Sequence, residues 1–129
     1  MNFPKELRYT KTHEWARRDG HKITVGISDY AQKEISDVVF VELPKSGKAV
    51  EAAKPAAVVE SVKAAFDIYA PMSGKVTSMN ADLESSPALV NQDCYGKGWF
   101  FEIEISNPGQ WDSLMTADQY EGHIKQETK

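Results

Sequence analysis

A mainly β chain with short helices at its margins is what this sequence predicts, and three observations carry that reading. Short runs rich in β-branched and aromatic residues recur along the chain, each closed by Pro, Gly, Asp or Ser. Two of them are joined through Asp19-Gly20, a hairpin signal because glycine tolerates the positive φ that such turns require. Only the tail, from Trp111 onward, changes to three- and four-residue spacing.

The elements follow in order. Residues 14–17 and 22–27 flank Asp19-Gly20 as the two arms of the hairpin. Residues 28–35 read as a short helix with Ser28 or Asp29 as its N-cap. Residues 38–43, Val-Val-Phe-Val-Glu-Leu, form a clear strand, which Pro44-Lys45-Ser46-Gly47 breaks. Residues 57–60 and 67–70 are two further extended runs, and Pro71-Met72-Ser73-Gly74 turns into a strand over 75–79. Residues 80–90 suit a short helix broken near Ser86-Pro87, because proline disfavours helix in the residue before it. Residues 99–105 are the last strand; apolar and acidic residues alternate after Phe101, so one face is buried and one is wet. In the tail, Trp111, Leu114, Met115, Tyr120 and Ile124 suggest an amphipathic helix. Thr116-Ala117-Asp118-Gln119 has the form of a capping box that would start it.

A short internal repeat links two of these regions. Leu43-Pro44-Lys45-Ser46-Gly47-Lys48 matches Ala70-Pro71-Met72-Ser73-Gly74-Lys75 in pattern. Either this is ordinary turn chemistry used twice, or the chain contains two quasi-equivalent halves of one small β-sandwich.

With 129 residues, 41% hydrophobic and 26% charged, the chain suits one soluble globular domain able to bury a core without staples. The expected boundaries are a core over about residues 7–105 and a C-terminal helical segment over about 106–126, within a single domain spanning 1–129. A net charge of -4 argues against nucleic acid and against an anionic membrane as partner. Cys94 is alone and cannot form an intrachain disulfide; with three histidines, a zinc cluster is not expected. No run is long enough to span a bilayer, and the first residues resemble neither a secretory signal nor a transit peptide. A bacterial cytoplasmic protein is the expectation. No Ser/His/Asp or Cys/His arrangement, metal-ligand spacing or phosphate loop suggests an enzyme.

One segment stands out. Between the two repeat halves lies Val59-Glu60-Ser61-Val62-Lys63-Ala64-Ala65-Phe66-Asp67. Strands on both sides imply a tight connection, with Lys63 near its tip and no glycine to loosen it. Most exposed lysines are simply solvated. A lysine held out on a hairpin also suits covalent modification, because its amine is reachable and its stem extends whatever is attached.

Glu60-Ser61-Val62-Lys63-Ala64, with Asp67 and Ala70-Pro71-x-Ser73-Gly74, resembles the lipoyl-lysine segment of the glycine cleavage system H protein family. Further segments match in the family's order: Tyr9-Thr10-x-Thr12-His13-Glu14-Trp15, Val25-Gly26-Ile27-Ser28-Asp29-Tyr30-Ala31-Gln32, Val39-Phe40-Val41-Glu42-Leu43-Pro44 and Tyr95-Gly96-x-Gly98-Trp99. The resemblance runs from about Leu7 into the C-terminal helix. Biotin carriers place methionines beside their lysine, whereas Val62 and Ala64 stand here. Acyltransferase lipoyl domains place Asp before it and lack the Thr-His-Glu-Trp segment.

The resemblance implies a flattened antiparallel β-sandwich of the lipoyl/biotinyl carrier type, a barrel-sandwich hybrid, with short peripheral and C-terminal helices. It implies lipoic acid in amide linkage on Lys63, placed there by a lipoyl-attaching enzyme that reads Glu60, Ser61 and Val62. It implies a carrier with no catalysis of its own. Such a carrier takes an aminomethyl group from glycine decarboxylase, a pyridoxal phosphate enzyme, to aminomethyltransferase. Dihydrolipoamide dehydrogenase then reoxidises it. Glu14 and Asp67, with Thr12 nearby, match the positions expected to receive the cationic amine in a surface cleft. A monomer is expected, because the carrier must dock repeatedly. The same Lys63 would also serve an alternative role, donating lipoate to other lipoyl domains.

Other residues have plainer readings. Trp15 and Trp99 suit packing, His13 has no catalytic role, and Gly74, Gly96 and Gly98 suit backbone turns. Three positions depart from the family pattern. Phe66 stands where a small hydroxyl residue is usual, Ala53-Lys54-Pro55 replaces a turn that often contains glycine, and Cys94 stands where proline is common. Pro55 would stiffen its loop, and Phe66 would alter either how an arm docks or how the attaching enzyme recognises the hairpin.

Overall fold

A computed structural model describes residues 1–127. Among these residues, nine strands and four α-helices follow one another: β1 Arg8–Tyr9, β2 Glu14–Asp19, β3 Lys22–Ile27, α1 Asp29–Ile35, β4 Val38–Glu42, β5 Ala49–Val50, β6 Pro55–Ser61, β7 Ala65–Tyr69, β8 Gly74–Met79, α2 Asp82–Ser85, α3 Leu89–Gln92, β9 Phe101–Ile105 and α4 Ala117–Glu127, with a 3-10 turn over Pro108–Ser113. The strands form two antiparallel sheets. One has the order β1-β2-β3-β9-β8-β5 and the other β4-β6-β7. None of the described helices is long and apolar enough to cross a membrane.

Local chemistry accounts for most element boundaries. The β2–β3 hairpin closes with Asp19 opposite Lys22, so the two-residue loop is Gly20-His21, and Gly20 sits at φ +63. Ser28 caps α1, its Oγ accepting the Ala31 N–H at 3.1 Å. The helical stretch after Asn80 is interrupted at Ser86-Pro87 as the proline requires, giving α2 and α3. Thr116 and Gln119 form a reciprocal capping box before α4: the Thr116 N–H donates to Gln119 Oε1 at 2.9 Å, and the Gln119 N–H to Thr116 Oγ1 at 3.3 Å. Trp111 belongs to the 3-10 turn, and Met115 bridges to Tyr9, so helical spacing in the tail is real only from Ala117.

The main core lies between the sheets. Ile23 and Val25 of β3 face Ile103 and Phe101 of β9, and Val41, Val59 and Ile68 close it from the smaller sheet. A second cluster covers the other face of β1 and β2, where Tyr120 and Ile124 of α4 pack with Leu7, Tyr9 and Trp15. Burying each such side chain contributes about 1.5–3 kcal/mol. Sandwiched by both clusters, Glu14, Trp15 and Ala16 are consecutively buried instead of alternating.

The repeat marks the crossovers. Residues 43–48 leave β4 and lead to β5, and residues 70–75 leave β7 and lead to β8. Each carries the chain from the three-stranded sheet to the six-stranded one, where β5 and β8 pair. Gly96 and Gly98 lie in the turn over residues 94–98, as expected, whereas Gly74 is the first residue of β8 and not a turn residue. None of them has a positive φ. A Cβ at Gly74 would collide with the Glu104 carbonyl, and one at Gly98 with the Leu89 carbonyl, so these glycines permit close approach of backbone. Gly26 likewise makes room for the Trp15 ring.

Candidate functional site

The β6–β7 hairpin pairs Val59 with Phe66 and Glu60 with Ala65, leaving residues 61–64 as its tip. Ser61 organises that tip. Its N–H donates to the Ala64 carbonyl at 2.9 Å, and its Oγ accepts the Lys63 N–H at 3.1 Å. The Val62 N–H donates to the Asp37 carbonyl at 3.0 Å, tying the tip to the loop before β4. The turn is therefore held without glycine. Val62 is 65% exposed. Lys63 is exposed as well, and its Nζ donates to the Glu34 carbonyl, in the last turn of α1, at 3.0 Å. Glu60 is exposed and shares the outer sheet face with Phe40, its partner on β4.

A cleft of about 280 Å³ lies beside this tip, between α1 and β7. Ile27, Tyr30, Ala31, Ile35, Phe66 and Ile68 give it apolar walls; Thr12, His13, Glu34 and Asp67 are its polar members. Such a slot fits a flexible, largely apolar group tethered at Lys63. Phe66 stands at its edge, 37% exposed.

Glu14 is placed differently. It is 1% exposed, at the start of β2. Thr10 and Thr12 donate their hydroxyls to its Oε1 at 2.6 and 2.5 Å, and the Tyr69 N–H donates to its Oε2 at 3.1 Å. Burial pushes the carboxyl up to about 7, against the opposing pull of those hydrogen bonds. Glu14 lines a second cavity, and Asp67 the cleft; Thr12 lines both. The structure thus brings Thr12 to Glu14 directly, and Asp67 to Thr12 across the cleft.

Several residues of this region escaped sequence reasoning. His13 adopts φ +79; its Nδ1 lies 2.8 Å from the Tyr120 hydroxyl and its Nε2 3.1 Å from Glu127 of α4. Burial draws its pKa down, and Glu127 opposes this. The Tyr120 hydroxyl also meets Ser28 Oγ at 2.6 Å, so one residue of α4 joins the α1 cap to the cleft wall. The apolar spacing of Ile27, Ala31 and Ile35 was a readable signal for the cleft; the His13 and Tyr120 partnership spans 107 residues and had none. Cys94 is a buried free thiol that burial pushes up to about 12, and the Trp15 Nε1–H donates to its carbonyl at 2.9 Å.

The same chain has close relatives among known proteins. Residues 7–127 match the family described as Glycine cleavage H-protein. The glycine cleavage system H protein of Endomicrobium trichonymphae is 53% identical over 124 residues, covering 96% of this chain and 100% of that one. A protein of the same name from Thermus thermophilus is 50% identical over 127 residues, covering 98% and 99%. A crystal structure of a glycine cleavage system H protein from Mycobacterium marinum superposes with TM-score 0.88 at 32% identity, covering 95% of this chain and 99% of that one.

Proposed function

The chain belongs to the glycine cleavage H-protein family, and from that premise we propose that it is a lipoyl carrier modified on Lys63. The observation that carries this reading is the hairpin tip: an exposed lysine on a turn fixed by Ser61 and Asp37, beside an apolar cleft. When attached, the lipoyl group supplies a redox-active dithiolane on a long arm that bears the aminomethyl cargo.

The chain's own residues do the rest. Ser61 fixes the backbone of Lys63, so the lipoyl-attaching enzyme meets one geometry, with Glu60 and Val62 exposed on either side for recognition. Ile27, Ala31 and Ile35 exclude water from whatever folds into the cleft. Asp67 and Thr12 lie along it, and Thr12 leads to Glu14. A cationic amine reaching Glu14 would make a charge-assisted hydrogen bond and draw the carboxyl into its ionised form. No side chain here performs catalysis. The carrier takes its cargo from glycine decarboxylase to aminomethyltransferase and is then reoxidised by dihydrolipoamide dehydrogenase, and tethering raises the local concentration of the arm at each.

Intact-mass and peptide mass spectrometry after expression with lipoate and a lipoate ligase tests the assignment. One lipoyl adduct on Lys63, absent from Lys63→Arg, is expected; an adduct elsewhere, or none, would remove it. For Glu14, the check is formaldehyde release from loaded carrier, which Glu14→Ala should accelerate. Unchanged release would take that role from Glu14.

A further inference from the structure

One hydroxyl of α4 meets two segments that build the cleft beside Lys63. Tyr120 is fully buried, and its phenol oxygen lies 2.8 Å from His13 Nδ1 and 2.6 Å from Ser28 Oγ. His13 lines the cleft from the loop before β2, and Ser28 caps α1, which supplies Tyr30, Ala31 and Ile35 to the wall. The backbones of these two segments are already tied, because the Ser28 N–H donates to the His13 carbonyl at 3.0 Å. That bond does not fix the His13 side chain. Both ring nitrogens are held by α4, Nδ1 by Tyr120 and Nε2 by Glu127 at 3.1 Å. The ring packs against Tyr30, with centroids 5.0 Å apart. His13 also sits at φ +79, a conformation that residues with a β-carbon rarely adopt. Such a backbone persists where its surroundings over-determine it, and functional sites are where it concentrates.

We propose that Tyr120 is a positioning residue for the cleft: its hydroxyl holds the His13 imidazole against Tyr30, and through it α4 governs how long an arm folded back from Lys63 is retained. This rests on the reading of the cleft as the place that receives the arm. Packing alone does not require the hydroxyl, since the Tyr120 ring stacks on Tyr9 at 4.6 Å and meets Phe3 edge-on. A buried phenol needs a hydrogen-bond partner, and this one finds both of its partners on segments of the cleft. The chain of bonds closes in either charge state of His13. With a neutral ring, Nε2–H donates to Glu127, Nδ1 accepts from Tyr120, and the Ser28 hydroxyl donates to the Tyr120 oxygen. With an imidazolium, Nδ1–H donates to Tyr120, whose hydroxyl donates to Ser28 Oγ. Glu127, His123 and Glu34 bear on that charge, and neither state opens the clamp.

The experiment compares two hydroxyl deletions in one aromatic stack. Tyr120→Phe removes the clamp. Tyr9→Phe is its control, because the Tyr9 hydroxyl donates to the Pro4 carbonyl at 2.8 Å and to no segment of the cleft. In unmodified protein, Tyr120→Phe should shift the NMR signals of the Ala31 and Ile35 methyls and speed hydrogen exchange at the Ser28 and Ala31 amides, and Tyr9→Phe should do neither. In loaded carrier, formaldehyde release should rise about fivefold in Tyr120→Phe and stay at the wild-type rate in Tyr9→Phe, with lipoylation of Lys63 unchanged in both. His13→Asn breaks the same link from the other side with a residue that tolerates positive φ. It should also raise release, and the double variant should add little to either single one. Additive effects, unmoved Ala31 and Ile35 methyls, or equal release from the two tyrosine variants would overturn the proposal. The NMR comparison needs no group on Lys63, so failure there leaves the carrier reading standing. A wild-type protein that takes up no lipoyl group would strike both.

Discussion

The two ends of β7 hold two polar loops built from the same materials in opposite surroundings. At the Lys63 tip, a serine hydroxyl satisfies backbone N–H groups that water could also satisfy. At the Thr10–Glu14 loop, two threonine hydroxyls satisfy a carboxylate that water barely reaches. Exposure makes the first loop tolerant and available to other molecules. Burial makes the second sensitive, because each donor lost there leaves a charge less compensated. The proposed attachment position lies in the exposed loop, and the carboxyl that burial shifts lies at the other end of the strand.

The largest expected effect separates the two by pH. The Glu14 carboxyl is raised from 4.5 to about 7, so the folded state holds that proton more tightly than the unfolded chain does. Its stabilising contribution is full below about pH 4.5 and is lost as pH rises through about 7, a loss of about 3 kcal/mol. Urea unfolding at pH 4.5 and 7.5 should show this slope in the wild-type protein and lack it in Glu14→Gln. Equal slopes would mean that the carboxylate is solvated. Next, Thr10→Val should destabilise by about 2 kcal/mol, because the hydroxyl serves both the Glu14 carboxylate and the Glu14 N–H. The same change should lift the Glu14 midpoint in a carboxyl-carbon titration.

At the lysine tip the effects shrink. Ser61→Ala should cost about 1 kcal/mol and speed hydrogen exchange at the Lys63 and Ala64 amides. Unaltered exchange there would mean that the hydroxyl does not hold the turn. The smallest effect has the opposite sign. Ala53, on the wall of the Glu14 cavity, sits at φ +65. Ala53→Gly should therefore stabilise by about 0.5–1 kcal/mol in thermal melts.

What was legible in the sequence was mostly local. The Ser28 cap, the capping box at Thr116, the Pro87 break and the alternation of β9 all depend on neighbours within a few residues. The two-residue strands β1 and β5 exist only through pairing with β2 and β8, and nothing in their own composition announces them. Glu14 had a plain alternative as a solvent-facing strand residue. Its surroundings come from distant parts of the chain, with Ala52, Tyr69, Pro71 and Leu114 on the walls of the cavity it lines, and one of its three partners is the Tyr69 N–H. Lys63 was visible through the pattern around it, whereas the cleft beside it needed α1 laid against β7. Pro55 was expected to stiffen its loop; the structure makes it the first residue of β6 and locates the backbone strain two residues earlier, at Ala53.

Cys94 has a practical corollary for work on this protein. The chain's one thiol is buried and titrates near 12, so at neutral pH its thiolate fraction is on the order of one in ten thousand or less. Reagents that seek thiolates find almost none in the native fold. Lys63→Cys would add a single reactive handle at the hairpin tip, against a silent background, so fluorophores or spin labels could report motion there with no native residue removed except the lysine itself.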